Sequence, residues 1–113
     1  MELKLQSGSL ETAIITEIVE RIAAVSNPQK IILFGSYVYG TPNKESDIDL
    51  LVVKPNMKSR TEEYTKIRRN LKGVKSTFDI ILLTPDEYEF YSLNWKNSIA
   101  VEAKERGVTL YER

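Results

Sequence analysis

The chain has 113 residues, enough for one domain, and its sixteen Lys and Arg balance sixteen Asp and Glu, so no global basic field argues for bulk nucleic-acid binding. It has no Cys, which excludes disulfides and thiolate metal sites, and no His, which removes the commonest general base near neutral pH and the usual zinc ligand. Any catalysis therefore falls to carboxylates, hydroxyls, Lys or Arg, or hard metals held by oxygen.

The opening stretch "MELKLQSGSLETA" lacks the apolar core of a signal peptide, and no apolar run approaches membrane-spanning length. The expectation is a single cytoplasmic domain over residues 1–113, with no membrane contact.

In chain order, residues 9–25 predict a helix. Ile14, Ile18 and Ile22 recur at intervals of four with Ile15 and Val19 beside them. Ser9 stands as its N-cap, and Pro28 cannot continue it. "KIILF", residues 30–34, reads as a buried strand broken by Gly35. "SYVYG" follows as one helical turn closed by Gly40, and "TPNKES" as a loop. "DIDLLVV", residues 47–53, is a second strand, ended by Pro55. Ser59 and Glu62 make a capping-box pair opening a helix to about Leu71, closed by Gly73. "TFDIILL", residues 77–83, is a third strand. Thr84 as N-cap, Pro85 and Glu87 start another helix. Trp95, Ile99 and Ala103 mark the face of a last helix, with Trp95 in the core and Gly107 at the end. "VTLY" closes the chain as a short strand. Strands alternating with helices predict an α/β domain: a small sheet flanked by helices. The short connection between the first two strands predicts that they pair antiparallel, which makes the sheet mixed.

Asp47 and Asp49 flank Ile48 where the second strand begins. Residues two apart on a strand share a face, so the two acids project together. Like charges held close are unfavourable unless a cation or a shared proton relieves them. Mg²⁺ is commonly held by one or two carboxylates and substrate phosphates, so this spacing suits a metal–nucleotide site. Asp79, on the next apolar strand, adds a third acid. Three carboxylates on adjacent strands suit two metal ions and in-line nucleotidyl transfer. Gly35 permits close backbone approach to a ligand, and Ser36 at a helix start offers an N–H and a hydroxyl, a cradle for triphosphate. Each element alone has a plainer reading: D-x-D as a solvated strand end, Gly-Ser as a turn, Asp79 as the partner of Lys75 or Arg68. Together and in this order they favour the site.

The stretch "LFGSYVYGTPNKESDIDLLVV" with "FDIILL" downstream resembles the minimal nucleotidyltransferases (MNT family) of the polymerase-beta-type superfamily, which are often encoded beside a HEPN-domain toxin and act as its antitoxin. The resemblance runs from Ile31 to the closing "GVTLYE". It implies the nucleotidyltransferase fold, with triphosphate bound by Gly35 and Ser36 and metal held by Asp47, Asp49 and Asp79. It also implies transfer of AMP from ATP, with Mg²⁺ (two ions), onto a hydroxyl, in the best-matched branch a tyrosine of the HEPN toxin. The family often carries Arg in the turn, as in G-S-x-A-R-G, where this chain has Tyr37, Val38 and Tyr39.

Two stretches fall outside those motifs. Tyr88, Phe90, Tyr91 and Trp95 crowd into eight residues, and Tyr88 or Tyr91 is expected to contact a partner protein. Lys66, Arg68, Arg69 and Lys72 form a basic helix face, solvated on the plain reading, and facing RNA or an acidic partner on the sharper one. Direct nucleic-acid contact is not the expectation. Two functions lead: an AMP-transferring enzyme, or a weak or inactive relative that neutralises its partner by binding alone; a third, transfer to RNA or to a small molecule such as an aminoglycoside, usually needs more chain than this.

Overall fold

The computed structural model describes residues 10–39, 47–95 and 98–113, with backbone only at residues 10, 11, 36 and 39. Ser9, Gly40 and the 41–46 connection lie outside the described residues. The elements are α1 (Leu10–Ser26), β1 (Lys30–Phe34), α2 (Ser36–Tyr39), β2 (Ile48–Val53), α3 (Arg60–Asn70), β3 (Phe78–Leu83), α4 (Pro85–Asn94), α5 (Ile99–Arg106) and β4 (Val108–Glu112). No helix among the described residues is long and apolar enough to cross a membrane.

The strands form one sheet in the order β3-β2-β1-β4. β1 pairs antiparallel with both β2 and β4, while β2 and β3 run parallel, so the sheet is mixed as expected. Both faces are covered, which is why the strands read as continuous apolar runs and not as alternating ones. On one face Ile31, Leu33, Leu50, Val52, Ile80 and Leu82 pack with Ile15, Ile18, Val19 and Ile22 of α1 and Ile67 of α3. On the other, Ile32, Phe34, Leu51 and Leu83 meet Ala100 and Ala103 of α5.

The predicted helix starts are present. The Ser59 hydroxyl accepts the Glu62 N–H. At α4 the reciprocal capping box forms in full: Thr84 Oγ1 accepts the Glu87 N–H at 3.1 Å, and Glu87 Oε1 accepts the Thr84 N–H at 2.9 Å. Arg60 donates to both oxygens of the same carboxylate at 2.6 Å, tying the start of α3 to the start of α4. That guanidinium holds the Glu87 carboxyl below its usual range.

The last helical region differs from expectation. The two expected helices form, but Trp95 is the C-cap of α4 and not part of the last helix's face. Ser98 caps α5 by accepting the Val101 N–H, and its hydroxyl donates to the Tyr91 carbonyl, which ties the start of α5 to α4. Of the three expected face residues only Ala103 is buried. Trp95 is 59% exposed and Ile99 42%. The small pair Ala100 and Ala103, three residues apart on one helix face, packs α5 on the sheet against Ile32 and Phe34 of β1. Gly107 ends α5 in an extended conformation (φ −77°), not in the left-handed one a helix-closing Gly often takes.

Candidate active site

The register of the sheet assembles the candidate site. Phe34 of β1 stands opposite Asp49 of β2, and Asp49 stands beside Asp79 of β3. The pleat puts Asp49 on the same face as Leu51, and Asp79 on the same face as Ile81. Leu51 is buried beneath α5, whereas Asp49, one pleat nearer the strand's start, is only half-buried and Asp79 is exposed. Both acids open onto a cavity of about 330 Å³ whose walls include Gly35, Tyr64, Ile99 and Glu102. Two larger hollows lie along α3, but neither carries these acids. The smaller cavity is therefore the one with the chemistry.

Gly35 shapes that cavity. Its φ of +83° is one that residues with a Cβ rarely adopt. A Cβ there would lie 2.2 Å from Asp49 Oδ2. The carboxylate of Asp49 thus rests against bare backbone at the end of β1. The turn continues into α2 through the Val38 N–H, which donates to the Gly35 carbonyl at 3.0 Å. Ser36 begins α2, but its side chain, like that of Tyr39, lies outside the described residues.

Asp49 is the electrostatic centre. Burial raises its carboxyl above the usual carboxylate range, the Asp79 charge adds to this, and the Asp47 charge adds further. Every contribution pushes the same way, so among the described residues no cationic side chain offsets Asp49. Asp79 forms no ion pair among the described residues: the Arg68 guanidinium instead sits 4.5 Å from the centre of the Phe78 ring and donates to the Phe78 carbonyl at 3.4 Å. The plain reading of Asp79 as a partner of Lys75 or Arg68 is not what forms.

Asp47 precedes β2 and is exposed. Among the described residues no three acids stand close enough to hold an ion together. The structure brings Asp49 and Asp79 together, while Asp47 acts from the rim through its charge. Two uncompensated carboxylates side by side suit a hard cation that takes its remaining ligands from phosphate and water, as Mg²⁺ does, and do not form a cage of their own.

Three cavity residues escaped the sequence reading. Ile99, expected only as one residue of the last helix's face, lines the opening. Glu102 follows it by three, which places both on one helix face; that spacing was the available signal. Tyr64 carried no signal beyond being aromatic.

A four-stranded mixed sheet with paired acids against a glycine turn is the architecture of a nucleotidyltransferase fold. Residues 14–109 match the nucleotidyltransferase domain family, and the chain belongs to that family. It is similar in fold to the crystal structure of a putative nucleotidyltransferase from Sulfolobus solfataricus, with a TM-score of 0.61 and 24% identity over 89% of this chain and 79% of that one. No curated protein matches the chain.

Proposed function

We propose that this nucleotidyltransferase moves AMP from ATP to a tyrosine hydroxyl of a partner HEPN-domain toxin in a Mg²⁺-dependent reaction, and so acts as an antitoxin. The observation that carries the transfer reading is the Asp49–Asp79 pair, without an ion-pair partner among the described residues and with Asp49 set against Gly35, in a chain of this family. The acceptor oxygen would bond to the α-phosphorus, the bond from that phosphorus to the β-phosphate bridge would break, and pyrophosphate would leave. The Gly35 backbone and Ser36 would orient the triphosphate. Asp79, on the edge strand, would face the acceptor. Asp49 and Asp79 are the residues that would hold Mg²⁺, with Asp47 adding charge from the rim; the ion when bound would offset the phosphate charge and favour ionisation of a tyrosine whose ordinary pKa is about 10. That route needs no His.

The assay incubates protein, toxin, Mg²⁺ and ATP labelled at the α-phosphate. Label and a mass gain of one or more AMP units should appear on the toxin, and disappear with the Asp47→Asn, Asp49→Asn double variant. Toxin neutralised equally by that double variant, with no label from the wild type, would leave neutralisation by binding alone. An exposed apolar patch supports that second reading as well as the first.

The patch is not where the sequence put it. Tyr88 and Tyr91 are half-buried and pack against the smaller core, whereas Phe90 and Leu93 are 53% and 67% exposed. They sit one turn apart on α4. The Tyr91 ring packs edge-on against both Phe90 and Trp95, at 5.6 and 5.2 Å between ring centres. Exposed aromatic and aliphatic anchors of this kind carry binding energy. Phe90→Ser and Leu93→Ser should each weaken toxin binding by ~2 kcal/mol, roughly thirtyfold. Tyr88→Ala and Tyr91→Ala should instead lower the melting temperature. Calorimetric titration separates the two, and unchanged affinity in both serine variants removes the patch from the interface.

A further inference from the structure

The balanced net charge conceals a segregation. From Tyr64 to Lys75 the chain carries five cations and no acid, and from Ser76 to Trp95 four acids and no cation. The cation block occupies the second half of α3 and its exit. There a groove of about 510 Å³ runs between α3 and the start of β3, with Tyr64, Arg68, Arg69, Lys72 and Phe78 in its walls. Tyr64 also lines the acid cavity, so the groove and the cavity meet at its ring.

Of the five cations Lys66 is paired with Glu63. Arg68, Arg69, Lys72 and Lys75 form no salt bridge among the described residues, and all four are exposed. Cations in a last helical turn complement the helix dipole, which accounts for Arg68 and Arg69 in part. It does not account for Lys75, which lies beyond the helix, or for the placing of Arg68. That guanidinium lies 4.5 Å from the Phe78 ring centre and 5.9 Å from that of Tyr64. Tyr64 is 37% exposed. Free cations lining a groove together with an exposed aromatic ring and a stacked guanidinium are the combination that takes phosphates and unpaired bases at once. An acidic protein surface would use the charges and leave the ring idle.

We infer that this groove binds single-stranded nucleic acid, with bases on Tyr64 and Arg68, phosphates on Arg69 and Lys72 in its wall and on Lys75, which follows the lining residue Val74, and one end of the strand directed at the acid cavity. The site is independent of the toxin reading and asks nothing of the acids.

The probe is a short fluorescein-labelled oligoadenylate, as RNA and as DNA, titrated with the full chain while anisotropy is read. Three phosphate contacts predict that log K falls with log salt at a slope of about −2, since each contact on a single strand contributes roughly 0.7. Arg69→Ala should reduce the slope by about 0.7. Tyr64→Ala should cost roughly tenfold in affinity with the slope unchanged, because a lost stack carries no counterions. The Arg69→Ala, Lys72→Ala double variant, at exposed positions, guards against misfolding and should retain any melting shift the wild type shows with Mg²⁺ and ATP. Polyglutamate binding as tightly as oligoadenylate would overturn the inference in favour of an acidic protein. Equal affinity for a duplex of the same length, or Tyr64→Ala binding like the wild type, would overturn it as well.

Discussion

Asp49→Asn should melt a few degrees higher than the wild type at pH 7 without ligand, and should lose the response to Mg²⁺ and ATP. Burial and the charges of Asp79 and Asp47 all raise the Asp49 carboxyl above its usual range. A carboxyl raised in the folded state ionises first in the unfolded chain. Its contribution to stability is complete below the ordinary carboxylate range near pH 4 and is lost as pH climbs through the raised folded value. At neutral pH the ionised Asp49 therefore works against the fold, and an amide of the same shape relieves it. Functional carboxylates commonly show this exchange of stability for activity. The wild type recovers stability only by binding. Ligand at about a hundred times its dissociation constant adds ~2.7 kcal/mol, roughly 10 °C in a domain of this size. Melting curves from pH 3 to 8, with and without Mg²⁺ and ATP, carry both halves. The gap between wild type and variant should close below about pH 4. A variant that melts lower than the wild type at pH 7, or that keeps the ligand shift, would take Asp49 out of the centre of the site.

Much of this fold was legible because its signals are local. The runs at 30–34, 48–53 and 78–83 are strands buried on both faces, so burial and β-propensity point the same way. The caps at Ser59 and Thr84 are short-range hydrogen bonds that a few residues specify. Asp49 and Asp79 were legible for the same reason, as single acids in apolar strands that pair side by side, whereas Asp47 precedes β2 and strand alternation does not fix it beside Asp49. What stayed hidden depends on distance. Trp95, Ile99 and Ala103 share a helical spacing, yet Ser98 restarts the helix between them, and the buried pair is set by how closely α5 approaches β1. Which aromatic of α4 faces the core was equally undecided by spacing, because Tyr88 and Tyr91 are half-buried against the smaller core while Phe90 is left exposed at their side. Tyr64 joins the acid cavity to the α3 groove only through the placing of α3 beside β3. Net charge, finally, is a sum, and a sum cannot report that cations and acids occupy consecutive blocks.

Gly35→Ala should abolish the Mg²⁺ and ATP response while leaving a folded protein, and Gly73→Ala supplies the matched control. Both glycines hold positive φ, +83° at Gly35 and +92° at Gly73. An alanine in that region costs about 1–2 kcal/mol of backbone strain at either position. Their surroundings differ. At Gly73 an added Cβ meets nothing within 4 Å. At Gly35 it would lie 2.2 Å from Asp49 Oδ2 and 3.1 Å from Asp49 Cγ. The obstructing atom is the tip of a side chain, which can rotate away, so the fold tolerates the methyl and the site does not. The Asp49 carboxylate has to leave its place beside β1, and with it the paired arrangement opposite Asp79. The two variants should therefore lose similar amounts of thermal stability, since they share the strain. They should diverge in function: displacing a reacting-site group by about 1 Å costs on the order of a hundredfold in rate. Gly73→Ala should keep both the ligand shift and AMP transfer. Equal function in the two variants would mean that the contact between Gly35 and Asp49 is incidental, and that the glycine serves the turn alone.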